Sequence, residues 1–86
     1  MTYKIVISKI ALRELDKLPH KINKQISTQV DTLALNPRPQ GCKKLKAEKD
    51  ILWRIRVGDY RVIYAIEDKI KIVQVRKIGH RKNIYS

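Results

Sequence analysis

The chain has 86 residues, 43% of them hydrophobic, and its 20 Lys and Arg against 8 Asp and Glu give a formal net charge of +12. That is one small domain, 1–86, with apolar residues enough for a core, so composition excludes intrinsic disorder. No apolar run approaches the roughly 18 residues of a membrane span, and a single cysteine, Cys42, excludes an internal disulfide.

Tyr3 to Ser8 is short and β-branched and predicts a first strand, with Ser8 placed to cap a helix. Ala11 or Leu12, Leu15 and Leu18 then recur at helical spacing until Pro19. A second helix fits His20 to Leu35, with Ile22, Ile26, Val30 and Leu33 along one stripe, and Asn36-Pro37-Arg38-Pro39-Gln40-Gly41 breaks it. From Cys42 the period changes to two. Lys43 to Lys46 reads as an edge strand, Ala47 to Asp50 as a polar turn, and Ile51 to Val57 as a strand. Gly58-Asp59 follows as a turn of type II′, then Tyr60 to Glu67 as the returning strand, Asp68-Lys69 as a turn, and Ile70 to Ile78 as a last strand stopped by Gly79. The tail His80 to Ser86 reads as one helical turn or an extended end. This order predicts an α+β domain: an N-terminal strand, a two-helix hairpin, then antiparallel strands in a small, mostly antiparallel sheet with both helices on one face.

Counting outward from Gly58-Asp59 separates the two faces of the hairpin. Val57–Tyr60, Ile55–Val62, Trp53–Tyr64 and Ile51–Ile66 are all apolar pairs and predict the side that packs on the helices, with Trp53 and Tyr64 in the core. The other side pairs Arg56 with Arg61, Arg54 with Ile63 and Leu52 with Ala65. Two arginines directly opposite one another repel by a few tenths of a kcal/mol up to about 1. One such residue reads as a long stem covering apolar surface. Three on an open face read as a site for an anion, most simply a phosphate, which guanidinium grips in bidentate fashion.

The charge supports a polyanion partner. Residues 1–42 carry seven basic and three acidic side chains, and residues 43–86 carry thirteen and five, so the excess is concentrated where the arginines lie. Cys42 reads as a strand residue and His20 as a solvated helix start. With His20 and His80 the only histidines, no metal-ligand set is present and no cofactor is expected. The opening Met1-Thr2-Tyr3-Lys4 has no apolar h-region, so a cytoplasmic chain with no membrane partner is expected.

Three stretches, Asn36 to Leu45, Trp53 to Tyr64 and Ile78 to Tyr85, together with the opening strand and helical hairpin, resemble the toxins of type II toxin–antitoxin modules, the RelE/ParE superfamily and its RelE-like branch in particular. The Tyr60-Arg61-Val62-Ile63-Tyr64 and Gly79-His80-Arg81 elements carry most of that resemblance. It implies a small RelE-like α+β toxin that cuts mRNA in the ribosomal A site without a metal. It implies, too, an acidic antitoxin encoded next door, through whose complex alone the toxin meets operator DNA. The family's site positions fall on Arg54, Arg56, Arg61, Arg81 and Tyr85. Arg54 and Arg56 stand where the best-known relatives have Lys. An arginine cannot act as a base, which leaves proton transfer to His80 or Tyr85. In that scheme the RNA 2′-hydroxyl attacks the adjacent phosphate, the arginines stabilise the charge, and Lys43, Lys44 and Lys46 hold RNA phosphates without reading sequence. Two rival readings are a ParE-like toxin that poisons DNA gyrase by binding, and a nucleic-acid-binding co-repressor acting with its antitoxin.

Overall fold

Ser8 turns the chain from β1 (Lys4–Ile7) into α1 (Lys9–Asp16). Its Oγ accepts from the Ala11 N–H at 3.1 Å while its hydroxyl donates to the Arg76 carbonyl at 3.1 Å. One side chain thus caps the helix and ties it to the sheet. α2 (His20–Thr32) starts directly after Pro19, which has no N–H to leave unsatisfied. Asn23 Nδ2 reaches back to the Leu15 carbonyl at 3.0 Å, so α2 satisfies the end of α1 and closes the helical hairpin. α2 stops at Thr32 rather than at the predicted Leu35. Leu33, Ala34 and Leu35 donate to the carbonyls three residues back, a tighter winding that runs into the Asn36-Pro37 step.

The structure, a computed structural model, describes residues 2–46 and 50–82. The predicted turn at Ala47 to Asp50 therefore falls outside the described residues except for Asp50, as does the tail from Asn83. The remaining strands are β2 (Lys43–Lys46), β3 (Ile51–Val57), β4 (Tyr60–Glu67) and β5 (Ile72–His80), joined in the order β1-β5-β4-β3-β2. All neighbours are antiparallel except β1 with β5. Gly58 sits at φ +60° while Asp59 stays out of the left-handed region, as a type II′ turn requires. The hairpin register matches the count from Val57↔Tyr60 to Trp53↔Tyr64. The ladder ends there, so the predicted Ile51–Ile66 and Leu52–Ala65 pairs do not form; on the other edge of β3, Leu52 and Ile51 pair with Leu45 and Lys46 of β2. A bulge in the β4–β5 pairing between Ile63 and Tyr64 accompanies this, and bulges add local twist. β5 begins at Ile72, not Ile70, because Lys71 takes φ +55° and closes the preceding turn. It continues through Gly79, which pairs with Arg61, instead of stopping there.

Both helices lie on one face. Ala11 and Leu15 of α1 and Ile26, Val30 and Leu33 pack against Ile55, Val62, Tyr64, Val73, Val75 and Ile78, while Leu12 is exposed. Tyr64 is fully buried and donates its hydroxyl to the Pro37 carbonyl at 2.7 Å, and burial pushes its phenol well above the ordinary range. Trp53 is partly buried at the edge of this core, with the Arg38 guanidinium 5.1 Å from its ring centroid. Cys42, also partly buried against the core, precedes β2, and His20 is the exposed first residue of α2. Among the described residues no helix is long and apolar enough to cross a membrane.

Arg38 also anchors its loop at long range. Its Nη2 lies 2.8 Å from Asp68 Oδ2, and the Tyr3 hydroxyl donates to Asp68 Oδ1 at 2.7 Å. The Arg38 hydrogen bonds first, and the Tyr3 hydroxyl second, hold the Asp68 carboxyl down at about 2, below the usual carboxylate range. A carboxyl lowered on folding stabilises the fold above its unfolded value and loses that effect as the pH falls through its folded value. Asp68→Asn is therefore expected to lower the urea midpoint at pH 7, with the difference from the parent shrinking below pH 4 and closing near pH 2. Denaturation series at several pH values check this. A pH-independent difference contradicts it.

Candidate nucleic-acid interface

Residues paired directly across strands project from the same face. On the side turned away from the helices this places Lys43, Arg54, Ile63 and Lys77 in one row across four strands, and Arg56, Arg61 and Gly79 in the next. Five cations thus share a small surface. Gly79 has no side chain, so Arg61 meets no neighbour on that face of β5.

The face is less open than the sequence predicts. Arg56 is exposed, but Arg54 is only 4% exposed and Arg61 9%, and Ile63 and Ala65 further along β4 are buried too. Burial without pairing is costly for a guanidinium, which keeps its charge in any protein environment. Yet the buried Nε atoms of both Arg54 and Arg61 lack a hydrogen-bond partner, and Arg61 Nη1 makes only a long 3.4 Å contact to the Tyr60 carbonyl. The two ion pairs among the described residues, Arg38–Asp68 and Arg76–Asp50, both lie elsewhere. Each unsatisfied buried donor costs about 1–3 kcal/mol, more when charged. A bound oxyanion beside Arg56 would offset the guanidinium charge that no carboxylate of the described residues neutralises.

Not every predicted site residue joins this surface. Lys43 does, facing Arg54, whereas Lys44 and Lys46 pair with Trp53 and Ile51 and project toward the other side. His80 pairs with Tyr60, on the helix-side face, and its ring meets the Tyr60 ring edge-on at 5.5 Å between centroids. Its Nδ1 accepts from the Lys82 N–H at 3.2 Å, which leaves Nε2 to carry the proton of the neutral ring. His80 is thus not brought together with the arginines: the alternation of a strand puts it one residue out of phase with Gly79. Arg81 is exposed just past β5, and its N–H donates to the Asp59 carbonyl at 2.9 Å, which holds it beside the hairpin turn. Tyr85 lies outside the described residues. Lys77 carries no signal in the sequence that would assign it to this face. Only the β4–β5 register, with its bulge, reveals that it faces Ile63 beside Arg54. Among the described residues no three His, Cys, Asp or Glu side chains are grouped to hold a metal ion.

A family model described as ParE toxin of type II toxin-antitoxin system, parDE, matches residues 5–85. A Methanocaldococcus jannaschii protein named as a toxin, RelE1, is 32% identical in an 88-residue alignment that covers 99% of this chain and 97% of that one. Toxin RelE of Mycobacterium tuberculosis is 36% identical over 84 residues, covering 96% of this chain and 86% of the relative. Among solved structures, a chain of the archaeal RelE-RelB complex from Pyrococcus horikoshii OT3 superposes with a TM-score of 0.83 at 33% identity, over 96% of this chain and 99% of that one.

Proposed function

The chain belongs to the ParE toxin family of type II toxin–antitoxin systems, and on that premise we propose that it is a ribosome-dependent mRNA endoribonuclease that arrests translation. The observation that carries this reading is the pair of buried arginines, Arg54 and Arg61, whose Nε atoms are unsatisfied beside the exposed Arg56. A fold keeps such unneutralised charge at a cost in stability when a bound anion offsets it. In the proposed reaction the RNA 2′-hydroxyl attacks the adjacent phosphorus and the 5′-oxygen leaves, giving a 2′,3′-cyclic phosphate and a free 5′-hydroxyl. Arg61 and Arg56 neutralise charge on the non-bridging oxygens, Arg54 orients the phosphate from beneath, and Arg81 closes on it from the end of β5. Lys43 and Lys77 hold flanking phosphates and carry no sequence information. Proton transfer falls to Tyr85, since the His80 ring is engaged with Tyr60 on the other face.

The proposed partner is a cognate antitoxin with an acidic segment, whose carboxylates would occupy the same donors and block RNA. The Pyrococcus horikoshii relative was solved in a RelE-RelB complex, which supports this pairing. Primer-extension mapping of cellular mRNA after induction tests the activity. Cleavage at codons positioned in the A site is the expected result. Intact mRNA together with a DNA-damage response would overturn it in favour of gyrase poisoning.

A further inference from the structure

A cleft of about 380 Å³ opens at the edge of β3, between α2, the loop before β2 and the arginine face. Its lining includes Gln29 and Thr32, Gln40 of the loop, Lys43, Arg54 and Arg56. It is therefore continuous with the phosphate-binding surface while reaching round to the helix side of the sheet.

Several hydrogen-bonding groups in this cleft have no partner among the described residues. In a two-residue hairpin Val57 and Tyr60 form a hydrogen-bonded pair, so the pairs alternate from there and the Arg56 N–H and C=O point away from β4. β2 begins only at Lys43, opposite Arg54, and leaves that stretch of edge uncovered. Among the described residues no strand residue of β2 lies opposite Arg56 and no loop backbone bonds to it, and the exposed carboxamides of Gln29 and Gln40 make no hydrogen bond to the protein. Thr32 donates its hydroxyl to the Gln29 carbonyl at 2.6 Å, which leaves its Oγ1 free to accept. Beside the cations Lys43, Arg54 and Arg56 the cleft thus offers neutral donors and acceptors and no carboxylate, a set suited to the edge of a nucleobase next to a phosphate.

We propose that this cleft is a nucleobase subsite, which takes one purine of the RNA whose phosphate lies on Arg56 and Arg61. The inference rests on the nuclease reading above and adds to it a source of sequence preference. A carboxamide N–H₂ from Gln29 or Gln40 reaches the purine N7, an acceptor that pyrimidines lack, while the Arg56 backbone pairs with a second position on the base edge.

The test is an NMR titration of the full chain with AMP, GMP, CMP, UMP and inorganic phosphate. The purine nucleotides are expected to shift the Gln29, Thr32 and Gln40 resonances together with those of the arginine face, and to bind about tenfold more tightly than the pyrimidine nucleotides. Inorganic phosphate is expected to move the arginine face alone. The Gln29→Ala/Gln40→Ala pair, both exposed residues, is expected to erase the purine preference and leave phosphate binding unchanged. Nucleotide shifts confined to the arginine face, or equal affinity for all four, would overturn the base subsite while leaving the nuclease reading in place. An arginine face that responds to neither phosphate nor nucleotide would sink that reading and this inference with it.

Discussion

An Arg61→Met variant is expected to lose its toxicity and to be more stable than the parent. Arg61 is nearly buried, has an unsatisfied Nε and faces Arg56 across the strands. Replacing it with an apolar side chain of similar length removes an unpaired buried charge and a like-charge pair, and should add about 1–2 kcal/mol. In a domain this small each kcal/mol moves the melting temperature by about 4–8 °C. Activity should fall in the opposite direction, by about 100-fold or more, as for the loss of one donor to a developing oxyanion. Growth assays after induction, mRNA cleavage and thermal melts of the same variant check both halves, and antitoxin binding confirms that the fold survives. Arg61→Ala should also relieve growth arrest, with a smaller stability gain because it leaves a void. Toxicity undiminished in a folded Arg61 variant would remove this residue from the mechanism. A large loss of stability would show the guanidinium to be part of the fold.

The same burial explains where sequence reading succeeds on this chain and where it stops. The hairpin register follows from one glycine, because a two-residue turn leaves no freedom in how Val57, Ile55 and Trp53 meet their partners. The arginine face and the helix face separate by the same count, and the stripe of Ile26, Val30 and Leu33 marks the core side of the hairpin. Other features depend on contacts far apart in sequence. The parallel β1–β5 pair, and the bulge that admits Arg76 between Lys77 and Val75, leave no local mark. Without that bulge Lys77 has no assignable face, and neither does its place in the row with Lys43 and Arg54. The sequence offers His80 or Tyr85 for proton transfer without placing either, and strand alternation sends the His80 ring to Tyr60. Lys44 and Lys46 fall on the far side for the same reason. The Arg38–Asp68 link joins residues 30 apart, and no periodicity reports it.

Ile26→Ala is expected to be the most damaging single truncation in the helical layer. Ile26 is fully buried at the centre of α2, one turn before Val30, and packs into the cluster formed with Leu15, Leu33, Ile55 and Val62. Deleting its outer carbons removes apolar contact and leaves a cavity that a two-helix layer over a sheet can only partly close, a loss of about 2–5 kcal/mol. Domains of this size hold about 5–15 kcal/mol in total, so the variant should melt far below the parent. Leu35→Ala, at a position 74% exposed, should change stability by no more than about 0.5 kcal/mol and serves as the control. The effect should also reach the site. Gln29 and Thr32 ride on the same helix as Ile26, and a helix no longer seated on Ile55 cannot hold them over the Arg56 edge. Base preference should therefore weaken in Ile26→Ala at temperatures where the protein is still folded, while phosphate affinity, set by strands β3 and β4, persists. Chemical denaturation and nucleotide titration at one temperature separate the two effects. A cost under about 1 kcal/mol would mean that α2 is not seated through Ile26, and the cleft it walls would then need another support.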